Sequence, residues 1–286
     1  MERTIRTHDG LTLRGRDWPA DSRRGTIVLV HGLGEHVGRY EHVAASLGAR
    51  GWRVIGFDQR GHGASDGGRG RLGAADDLLA DLAPVLDLAH ADALRPVVLL
   101  GHSMGGAVAA RFVAGGRETP RPGWYRPVDA LVLSSPALAT GMSAAQKALL
   151  ATLGPVAPDL AVGNGLDPQG ISRDPAVVAA YLADPRVHDR IAPRLARFIV
   201  DAGDAVRAMA PRWTVPTLLL YGGSDRLVDP AGSAAFAAAA PAGVVTAHAF
   251  APLLHEIFNE PEKAQVLSVL GDWLDTLPEP PERSPR

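Results

Sequence analysis

Ser103 lies in the run VVLLGHSMGGA at positions 97–107. Four apolar residues lead into glycines at 101, 105 and 106 that bracket the serine, and a helix-like run, AVAARFVA, follows at once. A serine hydroxyl is a poor nucleophile until a neighbouring base takes its proton. Held on a tight bend, with an imidazole and a carboxylate in reach, it can attack a carbonyl carbon. Glycines permit such a bend because they carry no Cβ to clash. Gly101-His102-Ser103-Met104-Gly105 matches G-x-S-x-G, in which the serine occupies a strained strand-to-helix turn with its hydroxyl exposed at the end of a sheet. The pattern alone is weak, since Gly63-Ala64-Ser65-Asp66-Gly67 matches it too. That copy follows Arg60-Gly61-His62 rather than a strand and precedes Gly68-Arg69-Gly70 rather than a helix. Context therefore assigns the chemistry to Ser103. A phosphate-binding turn is the bland alternative, but the G-x-G-x-x-G spacing and a P-loop lysine are missing.

In α/β-hydrolases the nucleophile is followed along the chain by the acid and then the histidine. His248 and His255 compete for the base. His248 lies inside a strand pattern, whereas His255 follows that strand on a loop able to reach Ser103, so His255 is expected. The acid should orient the ring and stabilise its protonated form. Asp225 directly follows the strand TLLLYGG and is expected over its rival Asp229. The oxyanion formed during attack needs backbone N–H donors. Met104, next to the nucleophile, should supply one, and Leu33 in the loop His31-Gly32-Leu33-Gly34 the other.

These residues need a scaffold, and the apolar runs describe it. Thr26–Val30, Arg53–Phe57, Val97–Leu100, Ala130–Leu133 and Thr217–Tyr221 have little or no polar alternation, as strands buried on both faces do. Val244–Phe250 is a weaker sixth, and a hairpin is expected around His8-Asp9-Gly10. Helical patterns lie between, at Tyr40–Arg50, along Leu78, Leu82, Val85, Leu86 and Ala89, and along Leu267, Leu270, Leu274 and Leu277. Pro84 is expected to kink or shorten the second of these. Alternating strands and helices imply an α/β fold, with a mostly parallel central sheet covered by helices on both faces. From about Ala139 to Pro211 no strand pattern occurs, and this interval is expected to form a helical cap, or lid, over the carboxyl ends of the strands. The core is then 1–138 and 212–277, the cap 139–211, and 278–286 a C-terminal tail rich in proline and charge.

Composition narrows the chemistry. The chain has 286 residues, 46% hydrophobic and 21% charged, with a formal net charge of -2, so no basic face for nucleic acid is expected. It has no cysteine, which excludes disulfides and thiolate nucleophiles or ligands. His31, His36 and His42 lack carboxylates at ligand spacing, so no metal site is expected. MERTIRTHDG has no apolar signal core, and no apolar stretch is of membrane-spanning length. A cytoplasmic location is expected. Oligomeric state cannot be read from the sequence.

The stretches HGLGEHVGRYEHVA, FDQRGHGASDG, GHSMGGA, YGGSDRLVD and LLHEIFNEPE together resemble the monoacylglycerol lipase family of α/β-hydrolases, in its bacterial form. The resemblance extends from Val30 to about Pro261. It implies hydrolysis of lipid monoesters by Ser103, Asp225 and His255, without metal or organic cofactor. It also implies that Glu35, Arg39 and His102 contact a glycerol head, the alternative being that Glu35 and Arg39 simply pair to fix their loop. His31 is expected to hold the same loop, and Asp58, Arg60 and His62 to brace the one beside the elbow. Met142, Leu149, Leu150, Leu153 and Val156 could line an acyl tunnel and give the cap an apolar rim for transient membrane contact, or be buried against the sheet. A broader carboxylesterase or lysophospholipase is the alternative activity. A ligand-binding protein with little turnover is the alternative class.

Overall fold

The computed structural model describes residues 1–20, 24–91, 96–142 and 144–278; of the expected tail only Pro278 is among them. In chain order the elements are β1 (Glu2–Arg6), β2 (Thr12–Trp18), β3 (Gly25–Val30), α1 (Glu41–Ala49), β4 (Trp52–Phe57), α2 (Asp77–Ala91), β5 (Val97–His102), α3 (Met104–Gly115), β6 (Ala130–Ser134), α4 (Ala144–Val156), β7 (Val162–Gly163), α5 (Pro175–Ala183), β8 (Arg190–Ile191), α6 (Pro193–Met209), β9 (Thr217–Gly222), α7 (Pro230–Ala239), β10 (Val245–Phe250) and α8 (Lys263–Asp275).

The apolar runs become the centre of an eight-stranded sheet ordered β1-β2-β4-β3-β5-β6-β9-β10. β1 and β2 form the expected hairpin and β2 meets β4 antiparallel; every pairing from β4 to β10 is parallel. β3 and β5 are buried along their whole length because helices cover both faces. Ile27 and Leu29 point to the side where α1 and α8 pack, through Val43, Leu47, Val266, Leu270 and Leu274. Val28 and Val30 point to the other, against α2, α3, α6 and α7.

Pro84 does not shorten helix α2, which continues for 15 residues through it. An interior proline costs about 3 kcal/mol. Each fully buried Leu or Val returns about 1.5–3 kcal/mol, and Leu78, Leu79, Leu82, Val85 and Leu86 on this helix are all 2% exposed or less. Packing therefore overrides the break.

The interval 139–211 contains two kinds of packing. Its last helix, α6, lays Leu195, Phe198, Ile199, Ala202 and Val206 against α3 and joins the core beneath the sheet. The portion before it holds α4, α5 and the two-residue strands β7 and β8, which pair antiparallel and are too short to leave a pattern in the sequence. Among the described residues no helix is long and apolar enough to cross a membrane.

The junction of β5 and α3 is packed to backbone contact. A Cβ on Gly105 would overlap the carbonyl oxygens of Val30 and His31, and one on Gly106 would come 2.7 Å from Pro136 Cβ. Gly105→Ala should therefore destabilise the chain by about 3 kcal/mol or more, since backbone rather than a side-chain tip must give way. Urea unfolding checks this: the midpoint should fall clearly.

Candidate active site

Ser103 is held at φ 54° and ψ −121°, a left-handed conformation that non-glycine residues rarely adopt. The strain is held by bonds on both sides of the bend. Ser103 N–H donates to Ser134 O at 3.0 Å, and Ser103 O accepts from Ala107 N–H at 3.1 Å and Ala137 N–H at 2.9 Å. The hydroxyl is thereby turned away from the strand and toward the loop that follows β10.

That loop carries His255. Its Nε2 lies 2.8 Å from Ser103 Oγ, and its Nδ1 lies 2.7 Å from Asp225 Oδ2. Asp225 is fixed in turn, since Oδ1 accepts from Leu227 N–H at 2.8 Å and Val228 N–H at 3.1 Å. The acid and histidine loops are joined by Gly223 N–H to Phe250 O and Ser224 N–H to Leu253 O. Buried Glu260 accepts from Leu254 N–H at 2.9 Å and from Arg173 Nε at 2.9 Å, anchoring the histidine loop from below. Burial alone would push the His255 pKa down. The charge of Asp225 and its hydrogen bond outweigh that, and hold it above the ordinary histidine value. The chain Asp225–His255–Ser103 can thus accept the serine proton and stabilise the resulting imidazolium.

The rivals fall elsewhere. Ser65 donates to Asp58 O at 2.5 Å and accepts from Arg14 N–H, tying its loop to β2. His248 is exposed on the edge strand β10. Asp229 caps α7 through Ala231 N–H at 2.9 Å.

Facing Ser103 is the loop after β3. A Cβ on Gly32 would sit 3.2 Å from Ser103 Cβ, so the backbone comes up to the hydroxyl. Among the described residues, the N–H groups of Leu33 and Met104 have no hydrogen-bond acceptor, as donors reserved for a ligand would require. His31 holds this loop. Its Nε2 accepts from Gln59 N–H, leaving Nδ1 to donate to Gly32 O, while Gln59 Nε2 donates to His31 O. Asp58 accepts from Val37 and Ala64 N–H, and buried Arg60 pairs with Asp9, Asp77 and Asp81. The ligand atoms of His8, Asp9 and Asp81 also lie close together, but the Arg60 guanidinium already supplies the positive charge there. His62 Nδ1 donates to Arg60 O at 2.9 Å, and its ring lies tilted against those of His31 and His188.

Residues 184–192 clasp these core loops. His188 N–H donates to Gly34 O at 2.8 Å, His188 Nε2 contacts Gly61 O at 3.1 Å, and Ala192 N–H donates to Gly70 O at 2.8 Å. His36 Nε2 bonds Asp184 at 2.9 Å. Gly34 has φ +77°, and a Cβ there would run into His188 O.

A cavity of about 280 Å³ opens beside Ser103. Leu166, Ile171, Leu182, Val187 and Leu227 form an apolar wall, and Glu35, His102, Tyr181 and Glu256 a polar end. Glu35 and Arg39 do pair, at 2.7 Å, and Glu35 also accepts from Gly32 N–H and Tyr40 Oη, both at 2.6 Å. Burial would raise the Glu35 pKa, but the Arg39 guanidinium above all, with the Tyr40 hydroxyl, lowers it to about 2. His102 contacts Ser134 Oγ at 3.0 Å. Burial and then the nearby His255 lower its pKa to about 3, so it stays neutral. Leu149 and Leu153 have side chains outside the described residues; of the other residues considered for an acyl tunnel, Val156 is 81% exposed.

Residues 21–262 match the hydrolase family described as "Serine aminopeptidase, S33". The chain belongs to this family of serine hydrolases. It is 40% identical over 262 residues to the monoacylglycerol lipase of Mycolicibacterium smegmatis, covering 90% of each chain. It is 30% identical to phospholipase YtpA of Bacillus subtilis, over 90% of this chain and 98% of the other. The crystal structure of Paleococcus ferrophilus monoacylglycerol lipase superposes with a TM-score of 0.80 at 34% identity, covering 92% of this chain and 98% of that one.

Sequence reasoning missed part of this hydrolase's pocket. Glu256 follows His255 directly, and its carboxylate takes both arms of Arg39, at 2.5 and 2.7 Å. Its only signal was its place in LLHEIFNEPE. Tyr181 and Asp184 lie in the helical interval, where nothing distinguished them from neighbours.

Turnover of a soluble ester should fall as pH drops through the His255 pKa, because the protonated ring can no longer accept the serine proton. Asp225→Asn removes what holds that pKa up. It should move the acid limb to lower pH and reduce kcat by about 10³–10⁴-fold. A pH–rate profile of both proteins checks this.

Proposed function

We propose that this hydrolase cleaves monoacylglycerols to fatty acid and glycerol, with Ser103 as nucleophile, His255 as base and Asp225 as the acid that orients it. The observation that carries this is the hydrogen-bonded chain Asp225–His255–Ser103 opening on a cavity with an apolar wall and a polar end. Similarity to the Mycolicibacterium and Paleococcus lipases supports the substrate class. Ser103 Oγ attacks the ester carbonyl as its proton passes to His255 Nε2. The tetrahedral oxyanion forms against Leu33 and Met104 N–H. His255 then gives the proton to the glycerol oxygen as the carbonyl–oxygen bond breaks. Water, deprotonated by the same ring, attacks the acyl-serine and frees the acid. Glu35 and His102 receive the glycerol hydroxyls, with Arg39 holding Glu35 in place. No cofactor takes part. The alternative, a carboxylesterase or lysophospholipase, draws support from the likeness to the Bacillus phospholipase.

The cap in this proposal is 139–192, followed by α6 as a core helix. Leu160, Val162, Leu166 and Leu182 on it are 43–62% exposed. They form an apolar rim by which a cytoplasmic enzyme would touch a lipid surface. Replacing Leu160 and Leu182 together by Glu should lower the fraction bound to phosphatidylcholine vesicles in a flotation assay.

Ser103→Ala should reduce ester turnover by at least about 10⁴-fold while leaving the melting transition in place. A fluorophosphonate should label the wild type and not the variant. Retained turnover, or labelling elsewhere, would overturn the serine assignment. Faster turnover of a lysophospholipid than of the matched monoacylglycerol would favour the alternative.

A further inference from the structure

The relatives include proteins named monoacylglycerol lipase and one named phospholipase, so family membership does not decide which head group the polar end accepts. Its charges do bear on that. Among the described residues that line the cavity, five are carboxylates, Glu35, Asp167, Asp184, Asp189 and Glu256, and none is Lys or Arg. Arg186 and Arg190 pair with Asp184 and Asp189, and Arg39 stands behind Glu35 and Glu256. Its Nη1 donates to both and its Nη2 to Glu256, with the guanidinium 4.8 Å over the Tyr181 ring. At the polar end one positive charge is thus shared by two carboxylates, and even with Arg186 and Arg190 counted the five carboxylates outnumber the three guanidiniums paired with them.

Glu256 is rigidly placed for this. Its N–H donates to Ile171 O at 2.8 Å, and Asn259 Nδ2 donates to its Oε2 at 2.9 Å. Counting acceptors sharpens the point. Glu35 Oε1 already receives Gly32 and Tyr40, and Glu256 Oε2 receives Arg39 and Asn259. Glu35 Oε2 and Glu256 Oε1 each receive Arg39 alone, and so have one acceptor position left. Two spare acceptors suit the two hydroxyl donors of a glycerol head. A phosphate head brings acceptors and negative charge, and meets carboxylates.

We propose that Glu256 is a specificity-determining residue: by gripping Arg39 at two points it withholds the guanidinium from anionic heads and keeps the polar end negative, so that uncharged glycerol esters enter and phosphate-bearing ones do not. This rests on the monoester hydrolase reading above and extends it to head-group selection. A free guanidinium in the same place would act in the opposite sense, as a bidentate phosphate receptor.

The test compares the octanoyl ester of glycerol with that of glycerol 3-phosphate, in the wild type and in Glu256→Gln. The measured quantity is the ratio of the two kcat/KM values within each protein, which a loss common to both substrates leaves unchanged. The wild type should prefer the neutral ester by about 100-fold, as expected for like charges brought together in a closed site. In Glu256→Gln the preference should shrink by about tenfold or more, through the anionic ester. A preference unmoved by the substitution, or equal rates in the wild type, would overturn the proposal while leaving monoester hydrolysis standing. A wild type that turns over neither lipid but does cleave p-nitrophenyl acetate would overturn the monoester reading and this proposal with it. If Glu256→Gln does not fold, competition against p-nitrophenyl acetate in the wild type decides. The phosphate ester should inhibit about 30-fold more weakly than the neutral one, and equal inhibition would overturn the proposal.

Discussion

Everything at the site depends on one strained residue. Ser103 is kept at positive φ by the close packing of Gly105 against the ends of β3 and of Gly106 against Pro136. Such a conformation costs about 1–3 kcal/mol and persists only where its surroundings over-determine it. Here the surroundings are the middle of a parallel sheet, buried on both faces, with backbone hydrogen bonds entering and leaving the bend. The strain sets the direction of the hydroxyl, and the neighbouring loops are arranged to meet it. The loop after β3 arrives through Gly32, and the histidine loop through its bonds to the Asp225 loop and to Glu260.

Around this bend the molecule buries charge freely. Arg60 with Asp77 and Asp81, Arg39 with two glutamates, and Glu260 under the histidine loop are each nearly enclosed, while Asp9 meets Arg60 from the surface. Buried pairs of this kind are poor sources of net stability, because desolvation offsets much of the attraction. Their effect is geometric. They hold loops that contain little regular structure and carry much of the site.

The sheet, its helices, and the Ser103, Asp225 and His255 set were legible because each rests on local signals: apolar runs without alternation, glycines around a hydroxyl, a carboxylate at a strand tip. The rivals His248, Asp229 and Ser65 could be set aside by context alone. What stayed illegible depends on contacts distant in sequence. Glu256 and Arg39 are separated by 217 positions, and nothing local couples them. Tyr181 looks like any aromatic residue on a short helix. That α2 continues past Pro84 was hidden because the proline's cost is local while the burial that offsets it is not. The role of α6 as a core helix was hidden for a similar reason, since its face is completed by the small residues of α3.

The clasp formed by residues 184–192 constrains how substrate can arrive. His188 grips the loop carrying Leu33, Asp184 grips His36, and Ala192 is tied to Gly70 just before α6 enters the core. Lifting this side of the roof would pull on the loop that carries Leu33. Leu166 and Leu182 line the same cavity and are exposed, so the cavity reaches solvent there with the clasp closed. Access at these two leucines leaves the clasped loops undisturbed, so exposure of the cavity and the geometry around Ser103 are mechanically uncoupled.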